Sequence, residues 1–302
     1  MAVLGLGLAA LGRPGYLTVD HRSALGPDRS VEALRRCCQE VCDAAWVGGI
    51  RWFDAARSYG RAEAFLAEWL TRREIRPGEV TISSKWGYTY TAGWKVDAEV
   101  QEVKDHSAAA LDRQWPESEA LLGRWLNLYQ VHSATIDSGI LDDTEVHRRL
   151  AALDIPVGVS LSGPGQAETL RRAMDIQVDG SALFSAVQAT WNLLEPSAGP
   201  ALVEAKDAGW IVIVKEALAN GRLAVPEPSI ATLGDQPSVT ALAVALSRPW
   251  ADVVLSGAVT VPQLDANLAA REVTAEWDDD RFDALAIDPP RYWTERSAMT
   301  WT

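Results

Sequence analysis

Four side chains able to move a proton or hold a charge occur in the first half of the chain, each close to a short apolar run. Asp54 closes the run GIRWFD, and Tyr59 follows five residues later. Lys85 closes VTISSK, and His132 closes LNLYQVH. Taken singly, such residues are more often a helix cap, a solvated charge or a hydrogen-bonded core group. Their occurrence on three consecutive runs favours a shared site for acid–base chemistry.

The apolar runs recur along the whole chain, with segments of helical period between them. There are eight, at 3–8, 49–54, 80–85, 126–132, 155–160, 184–189, 210–215 and 251–256. They are β-rich and continuously apolar, as strands buried on both faces are. The first long helix is expected to begin at Ser30, which is a good N-cap. The alternation predicts one (β/α)₈ barrel domain over residues 1–302.

A doubly wound sheet is the alternative fold. It requires either two domains or a much longer sheet, and no Pro/Gly/Ser-rich linker divides the chain. In a barrel, catalytic groups lie at the carboxyl ends of the strands. The residues that would meet at that rim are Asp54, Lys85, His132, Ser160, Gln188, Lys215 and Ser256, with Tyr59 in the adjoining loop.

Two segments interrupt the alternation. A loop at about 87–105 follows the third run, and a C-terminal tail begins at about 276. Long βα loops shape the pocket of a barrel enzyme, so the first segment predicts a pocket loop whose aromatic residues Tyr88, Tyr90 and Trp94 line the site. An ordinary surface loop is the alternative.

Composition excludes several functional classes. The net charge of −13 disfavours a nucleic-acid partner, and no apolar run is long enough to cross a membrane. The three cysteines, Cys37, Cys38 and Cys42, form an odd, clustered set, which is typical of a reducing compartment and predicts a cytoplasmic protein. With no histidine or fourth cysteine near them, we expect no metal site.

Several segments, in this order, resemble the aldo-keto reductase family. They are FDAARSYGRAEAFLAEWL, SSKWG, LYQVHSA, PVGVSLSG, VQATWN, ALANGRL and SGAVTVPQLDANL, and they span nearly the whole chain. The loop after the third run looks closest to the aldose, fucose and galactose 1-dehydrogenase branch. The resemblance implies a TIM barrel enzyme that interconverts a carbonyl, such as an aldehyde, ketone or aldose, with its alcohol.

The resemblance also implies a catalytic set of Asp54, Tyr59, Lys85 and His132. Tyr59 would exchange a proton with the substrate oxygen, and His132 would donate a hydrogen bond to it. Lys85, held by Asp54, is expected to lower the pKa of the Tyr59 phenol.

The cofactor implied by the resemblance is NADP(H) or NAD(H), with a small-molecule carbonyl or alcohol as substrate. The matching cofactor positions are Ser160, Gln188, Lys215, Leu218, Ser256, Gly257, Gln263 and Asn267. No Lys or Arg occurs at Gly257, Val259 or Gln263, where members that prefer NADP carry a cation for the 2′-phosphate. Lys215 stands where the family usually has an aromatic residue against the nicotinamide, and Leu161 replaces an asparagine.

An apolar substrate wall is expected from Trp86, Tyr88, Trp94 and Trp191. The departures at Lys215 and Leu161 leave a second interpretation open, a reductase-like regulatory subunit that binds nucleotide without turnover. A lyase or isomerase that handles phosphate on the same barrel is a third. The sequence is compatible with a monomer or a homo-oligomer.

Overall fold

The predicted barrel is confirmed by a computed structural model, which describes residues 2–19, 24–273, 277 and 280–302. Its eight strands are β1 (Val3–Gly7), β2 (Trp52–Asp54), β3 (Thr81–Trp86), β4 (Leu126–Ala134), β5 (Val157–Leu161), β6 (Ala186–Thr190), β7 (Ile211–Lys215) and β8 (Val253–Ser256). All neighbouring pairs are parallel, and the closing pair is β8 with β1, where Leu4 lies opposite Val254. The carboxyl ends of all eight strands therefore meet at one rim.

Helices follow the strands as the periodicity predicts. They are α1 (Val31–Val47), α2 (Ala62–Arg72), α3 (Ala108–Leu122), α4 (Thr144–Ala151), α5 (Gln166–Met174), α6 (Gly199–Asp207), α7 (Pro237–Ser247) and α8 (Val261–Ala269). The Ser30 hydroxyl accepts a hydrogen bond from the Ala33 amide at 3.2 Å, which confirms it as the N-cap of α1. Two further helices, α9 (Asp280–Asp283) and α10 (Pro289–Ser297), lie in the C-terminal tail, whose predicted start at 276 falls outside the described residues.

Smaller elements occur in the loops. The predicted pocket loop contains a two-stranded hairpin, Tyr88–Tyr90 paired with Glu102–Lys104, and a second short hairpin pairs Gln177–Val178 with Ser181–Ala182. Short 3₁₀ segments span Ile136–Ser138, Ala219–Gly221, Pro228–Leu233 and Ala270–Glu272. In the described parts of the chain, every helix is too short or too polar to span a bilayer.

The barrel interior changes character from one end to the other. Its lower part is an apolar cluster of Leu128, Ala186, Ile213, Val253 and Leu255. Two residues further along β4, β6 and β7, the inward positions carry Gln130, Gln188 and Lys215, and Lys85 of β3 lies in register with Gln130. The upper interior is therefore polar, and its groups lie directly beneath the rim.

Candidate active site

A buried ion pair lies at the base of the rim. Lys85 Nζ is 2.5 Å from Asp54 Oδ2 and donates a second hydrogen bond to the Ala55 carbonyl at 2.9 Å. The other oxygen of Asp54 accepts from Ser83 Oγ at 2.7 Å and from Gln188 Nε2 at 2.9 Å. Burial lowers the pKa of Lys85, and the Asp54 charge opposes that shift. Because both side chains are almost wholly enclosed, each charge depends on the other for compensation.

Tyr59 reaches the site from the loop between β2 and α2, which is held by the loop after β1. The Arg61 amide donates to the Gly12 carbonyl at 2.7 Å. A Cβ on Gly12 would stand 2.2 Å from the Tyr59 carbonyl oxygen, so only glycine permits this approach. The Tyr59 ring lies with its centroid 4.8 Å from Lys85 Nζ and 5.1 Å from the Arg13 guanidinium carbon.

The pKa of Tyr59 is raised well above 10, contrary to the expectation that Lys85 lowers it. Burial is the main cause, and the Asp54 carboxylate adds to it, whereas Arg13 acts in the opposite direction. Lys85 does not reverse the shift because its ammonium is paired with Asp54 and lies over the face of the Tyr59 ring. Tyr59 is consequently a neutral phenol with a proton to donate near neutral pH.

His132 lies between two hydroxyl groups. Its Nε2 is 3.4 Å from Tyr59 Oη, and its Nδ1 is 3.4 Å from Ser58 Oγ. Burial lowers the pKa of His132 well below 6.5, and the nearby charges of Lys85, Lys215 and Arg13 lower it further. The ring is therefore a neutral imidazole, which hydrogen-bonds at both nitrogens without carrying charge.

The end of β7 carries a second polar network at the same rim. Lys215 Nζ donates to Thr190 Oγ1 at 2.7 Å, and that hydroxyl donates to Glu216 Oε2 at 3.2 Å. Glu216 also receives two hydrogen bonds from Arg296 of α10, one of them from Nε at 2.9 Å. Arg296 and Lys215 hold the pKa of Glu216 at about 2 against the effect of burial, so this carboxylate is ionised.

One cavity of about 510 Å³ joins these groups to the end of β8 and the start of α8. Asp54, Tyr59 and His132 line one end of it. The predicted cofactor residues Gln188, Lys215, Leu218, Ser256, Gly257, Gln263 and Asn267 also line it. Ser160 does not, because it lies within the barrel and its hydroxyl accepts from the Ser133 amide at 3.3 Å. Lys85 stands behind Asp54 rather than on the wall.

The family model for the aldo/keto reductase family matches residues 4–287. The chain belongs to this family. Membership implies an oxidoreductase that reduces carbonyl groups with a nicotinamide cofactor, which agrees with the acid–base groups on the cavity wall.

Solved aldo-keto reductases share the barrel. AKR11C1 from Bacillus halodurans, in its holo form, superposes with a TM-score of 0.67 at 21% identity, over 94% of this chain and 92% of that one. A Pseudomonas aeruginosa chain described as an aldo-keto reductase superposes with a TM-score of 0.61 at 27% identity, over 89% of each chain. No curated protein matches this sequence.

The far end of the reductase cavity has the features that a dinucleotide requires. Thr260 caps α8 by accepting from the Gln263 amide at 3.3 Å, and Val259 and Gln263 at the start of this helix line the cavity. An added Cβ at Gly257 would meet no atom within 4 Å, which leaves the backbone there open to a ligand. Asn267 Nδ2 donates to Ser256 Oγ at 2.8 Å and holds that hydroxyl on the wall. A helix N-terminus of this kind attracts phosphate groups.

The prediction of an aromatic substrate wall is wrong for the described cavity, since none of Trp86, Tyr88, Trp94 and Trp191 lines it, nor does Tyr90 of the pocket loop. Tyr88 packs edge-on against His132, with ring centroids 5.0 Å apart. Trp86 and Trp191 pack away from the cavity, with centroids 5.9 Å from His106 and 5.4 Å from Trp250, respectively. Trp94 packs on Phe65, and its indole donates to the Arg29 carbonyl at 2.8 Å. Side chains alternate along a strand, so an inward Lys85 places Trp86 outside the barrel.

Arg13 is a site residue that sequence reasoning missed. Its side chain is 3% exposed and forms an ion pair with Glu102 of the hairpin at 2.8 Å. Its guanidinium carbon also lies 5.2 Å from the Tyr16 ring and 4.7 Å from the Trp301 ring, in addition to its contact with Tyr59. Its position in the sequence could have indicated this role, because Arg13 lies in the loop after β1 and a barrel places such loops at its catalytic rim.

Proposed function

We propose that this protein reduces a small aldehyde, ketone or aldose with NADH or NADPH, and that Tyr59 donates the proton. The observation that carries the proposal is the pair formed by Tyr59 Oη and His132 Nε2, 3.4 Å apart on the wall of one cavity. Two hydrogen-bond donors at that separation can share one carbonyl oxygen as it gains negative charge.

Tyr59 acts as the general acid in this proposal. Its pKa is raised well above 10, so the phenol keeps its proton until the substrate oxygen becomes basic. After the transfer, the phenolate lies near the ammonium of Lys85 and the guanidinium of Arg13, which are 4.8 and 5.1 Å from its ring centroid. These two cations stabilise the charge on Tyr59 without contacting the substrate.

His132 orients the carbonyl in this proposal. We assign Ser58 Oγ as the donor to Nδ1, which leaves the ring proton on Nε2 beside the Tyr59 hydroxyl. A neutral imidazole donates a hydrogen bond to the substrate oxygen and leaves proton transfer to Tyr59. Its lowered pKa keeps it in that form across the neutral range.

When bound, the nicotinamide supplies the hydride that reduces the carbonyl carbon. Gln188, Lys215 and Leu218 would border the ring at the catalytic end, and Gly257 with the start of α8 would hold the phosphates. The described wall at the α8 end, with Ser238, Leu242, Gln263, Ala266 and Asn267, has no cation for a 2′-phosphate. We therefore expect NADH to be accepted at least as well as NADPH.

The proposal is tested by a panel of aldehydes, ketones and aldoses with both reduced cofactors, alongside fluorescence titrations of each cofactor. We expect saturable binding of at least one cofactor and its oxidation with part of the panel. Cofactor binding without turnover of any substrate would favour the regulatory-subunit interpretation. No binding of either cofactor would contradict both.

A further inference from the structure

The charged groups around the cavity comprise four cations, counting Lys85 behind Asp54, and three carboxylates. Each described carboxylate on the wall has a cation of its own. The pairs are Asp54 with Lys85, Glu102 with Arg13, and Glu216 with Arg296. Of the described cations that line the cavity, Lys215 is the one without a carboxylate of its own, since it shares Glu216 with Arg296. With the neutral His132 beside it, the catalytic end therefore carries one more positive charge than negative among these groups.

The surroundings of Lys215 account for this imbalance. Its nearest carboxylate oxygen is Glu216 Oε1, 4.0 Å away, and both Glu216 oxygens are already held by Arg296. The ammonium makes its hydrogen bond to the neutral Thr190 hydroxyl instead. Its side chain is only 15% exposed, so water screens the charge poorly.

Lys215 also lies close to the reacting groups. It ends β7 and lies in register with Thr190 of β6, two residues beyond the Gln188 that bonds Asp54. Its charge acts on His132, one of the two groups that would hold the carbonyl. A nicotinamide ring placed to pass a hydride to that carbonyl therefore lies in the electric field of the Lys215 ammonium.

We infer that Lys215 makes this reductase discriminate between the redox states of its cofactor, binding the reduced nicotinamide more tightly than the oxidised form. This inference rests on the proposed function. The dihydronicotinamide ring is neutral, whereas the oxidised ring is a pyridinium cation, and the two forms are otherwise nearly the same in shape. An ammonium in a site with excess positive charge repels the cation and leaves the neutral ring unaffected.

The chemical balance of the reaction gives this discrimination a direction. Hydride transfer to the carbonyl carbon turns the neutral ring into the pyridinium, while Tyr59 supplies the proton to the oxygen. Reduction thus creates a cation beside Lys215, and the repulsion favours release of the oxidised cofactor. The same charge disfavours the entry of oxidised cofactor, which biases the enzyme against the reverse reaction.

The discrimination is expected to depend on pH. Burial, Arg296 and Lys85 lower the pKa of Lys215 to about 8, while Glu216 and Asp54 oppose the shift. Below that value Lys215 is charged and repels the oxidised ring, and above it the repulsion is lost. The affinity for oxidised cofactor should therefore rise with pH through this range, and that for reduced cofactor should stay nearly constant.

The test is calorimetric titration of NADH, NAD⁺, NADPH and NADP⁺ into wild type, Lys215→Met and Lys215→Arg, at pH values of about 6.5 and about 9.5 on either side of the Lys215 transition. In wild type we expect a preference for the reduced form of roughly tenfold at the lower pH and a much smaller one at the higher pH. Lys215→Met removes the charge and should show the small preference for the reduced cofactor at both pH values. Lys215→Arg keeps the charge and should show the large preference at both.

Several outcomes would overturn the inference. They are equal affinities of wild type for both redox states at the lower pH, a preference that does not change with pH, and an unchanged preference in Lys215→Met. If Lys215→Met fails to fold, the wild-type pH dependence and its absence in Lys215→Arg decide the question. Failure of all four nucleotides to bind contradicts the proposed function itself, whereas binding without redox preference contradicts only the role of Lys215.

Discussion

The reactivity of Tyr59 is set by its burial. A tyrosine that lines a cavity beside a carboxylate holds its proton more strongly than one in water, and its pKa is raised accordingly. The neighbouring cations Lys85 and Arg13 do not create a resting phenolate, since each is paired with a carboxylate. Their effect is to stabilise the phenolate formed during turnover. Tyr59 is thus better suited to donating a proton than to accepting one.

This difference predicts opposite pH dependences for the two directions of the reaction. Reduction needs the neutral phenol, so its turnover number should stay nearly constant from neutral pH to about pH 10. Oxidation of the alcohol needs the phenolate, so its turnover number should rise steadily with pH over the same range. Steady-state kinetics in both directions at saturating cofactor measure the two profiles.

Lys215→Met is the matched control, because Lys215 also loses its charge within this range, at a pKa of about 8. The rise in the oxidation rate should survive in that variant if Tyr59 causes it. A plateau in the oxidation rate near neutral pH would contradict the raised pKa of Tyr59.

At the scale of single residues, the sequence predicted which groups converge but not their protonation states. Asp54, Lys85 and His132 close apolar runs, and a barrel brings such strand ends to one rim. The pairing of Lys85 with Asp54 was expected, whereas the pKa of Tyr59 depends on ångström-scale packing that no spacing rule contains. Arg13 was missed because its partners Glu102 and Trp301 are distant in sequence.

The hairpin of the pocket loop and the loop after β1 form one structural unit. Arg13 donates to Glu102 of the hairpin and to the carbonyls of Ala9 and Ser58, at 3.2 and 3.3 Å for the latter two. The same guanidinium packs on Tyr59. The position of the hairpin and that of the proposed proton donor therefore depend on one buried cation.

Removing the counter-charge of that cation should loosen the unit. In Glu102→Ala we expect a loss of about 3 kcal/mol in the free energy of unfolding, because Arg13 is left as an unpaired buried charge. Backbone amides of the hairpin, such as the Thr91 amide bonded to the Gln101 carbonyl, should exchange with solvent faster. Urea denaturation and hydrogen exchange measure the two effects.

Glu99→Ala is the matched control, since Glu99 lies in the same loop and is exposed. Its free energy of unfolding and its amide hydrogen-exchange rates should be close to those of wild type. Equal behaviour of the two variants would show that the Arg13–Glu102 pair does not hold the hairpin.

Closure of the barrel is a property of the whole molecule, and it depends on close approach between β1 and β8. A Cβ at Gly5 would lie 2.9 Å from Leu255 Cδ2 and 3.0 Å from Val253 Cγ1, within the apolar part of the barrel. Larger residues at this position would force these side chains apart. The glycines of the first apolar run thus have a packing function at the closing pair.

Gly5→Val is expected to lower the free energy of unfolding by about 1–3 kcal/mol through overpacking. Chemical denaturation measures this loss. Gly165→Ala is the control, because a Cβ there meets no atom within 4 Å and the backbone φ of −87° suits alanine. A Gly5→Val protein as stable as wild type would contradict the tight contact between β1 and β8.

The overall architecture was predictable from the sequence because local patterns determine it. Eight apolar runs alternate with helical segments. The repeating unit of this barrel is a strand buried on both faces, followed by a helix. The placement of Trp94 and Trp191 was not predictable in the same way, because both follow strands in loops where no periodicity shows which way a side chain points. Trp86 was predictable in principle, by alternation from Lys85.

The most direct test of the proposed mechanism is the Tyr59→Phe variant with a reducible substrate from the panel. Phenylalanine keeps the ring that packs against Arg13 and Lys85 but has no proton to donate. We predict that kcat/KM for reduction falls by at least about 100-fold while the affinity for reduced cofactor changes little. A Tyr59→Phe enzyme that retains most of its activity with cofactor binding intact would contradict the assignment of Tyr59 as the proton donor.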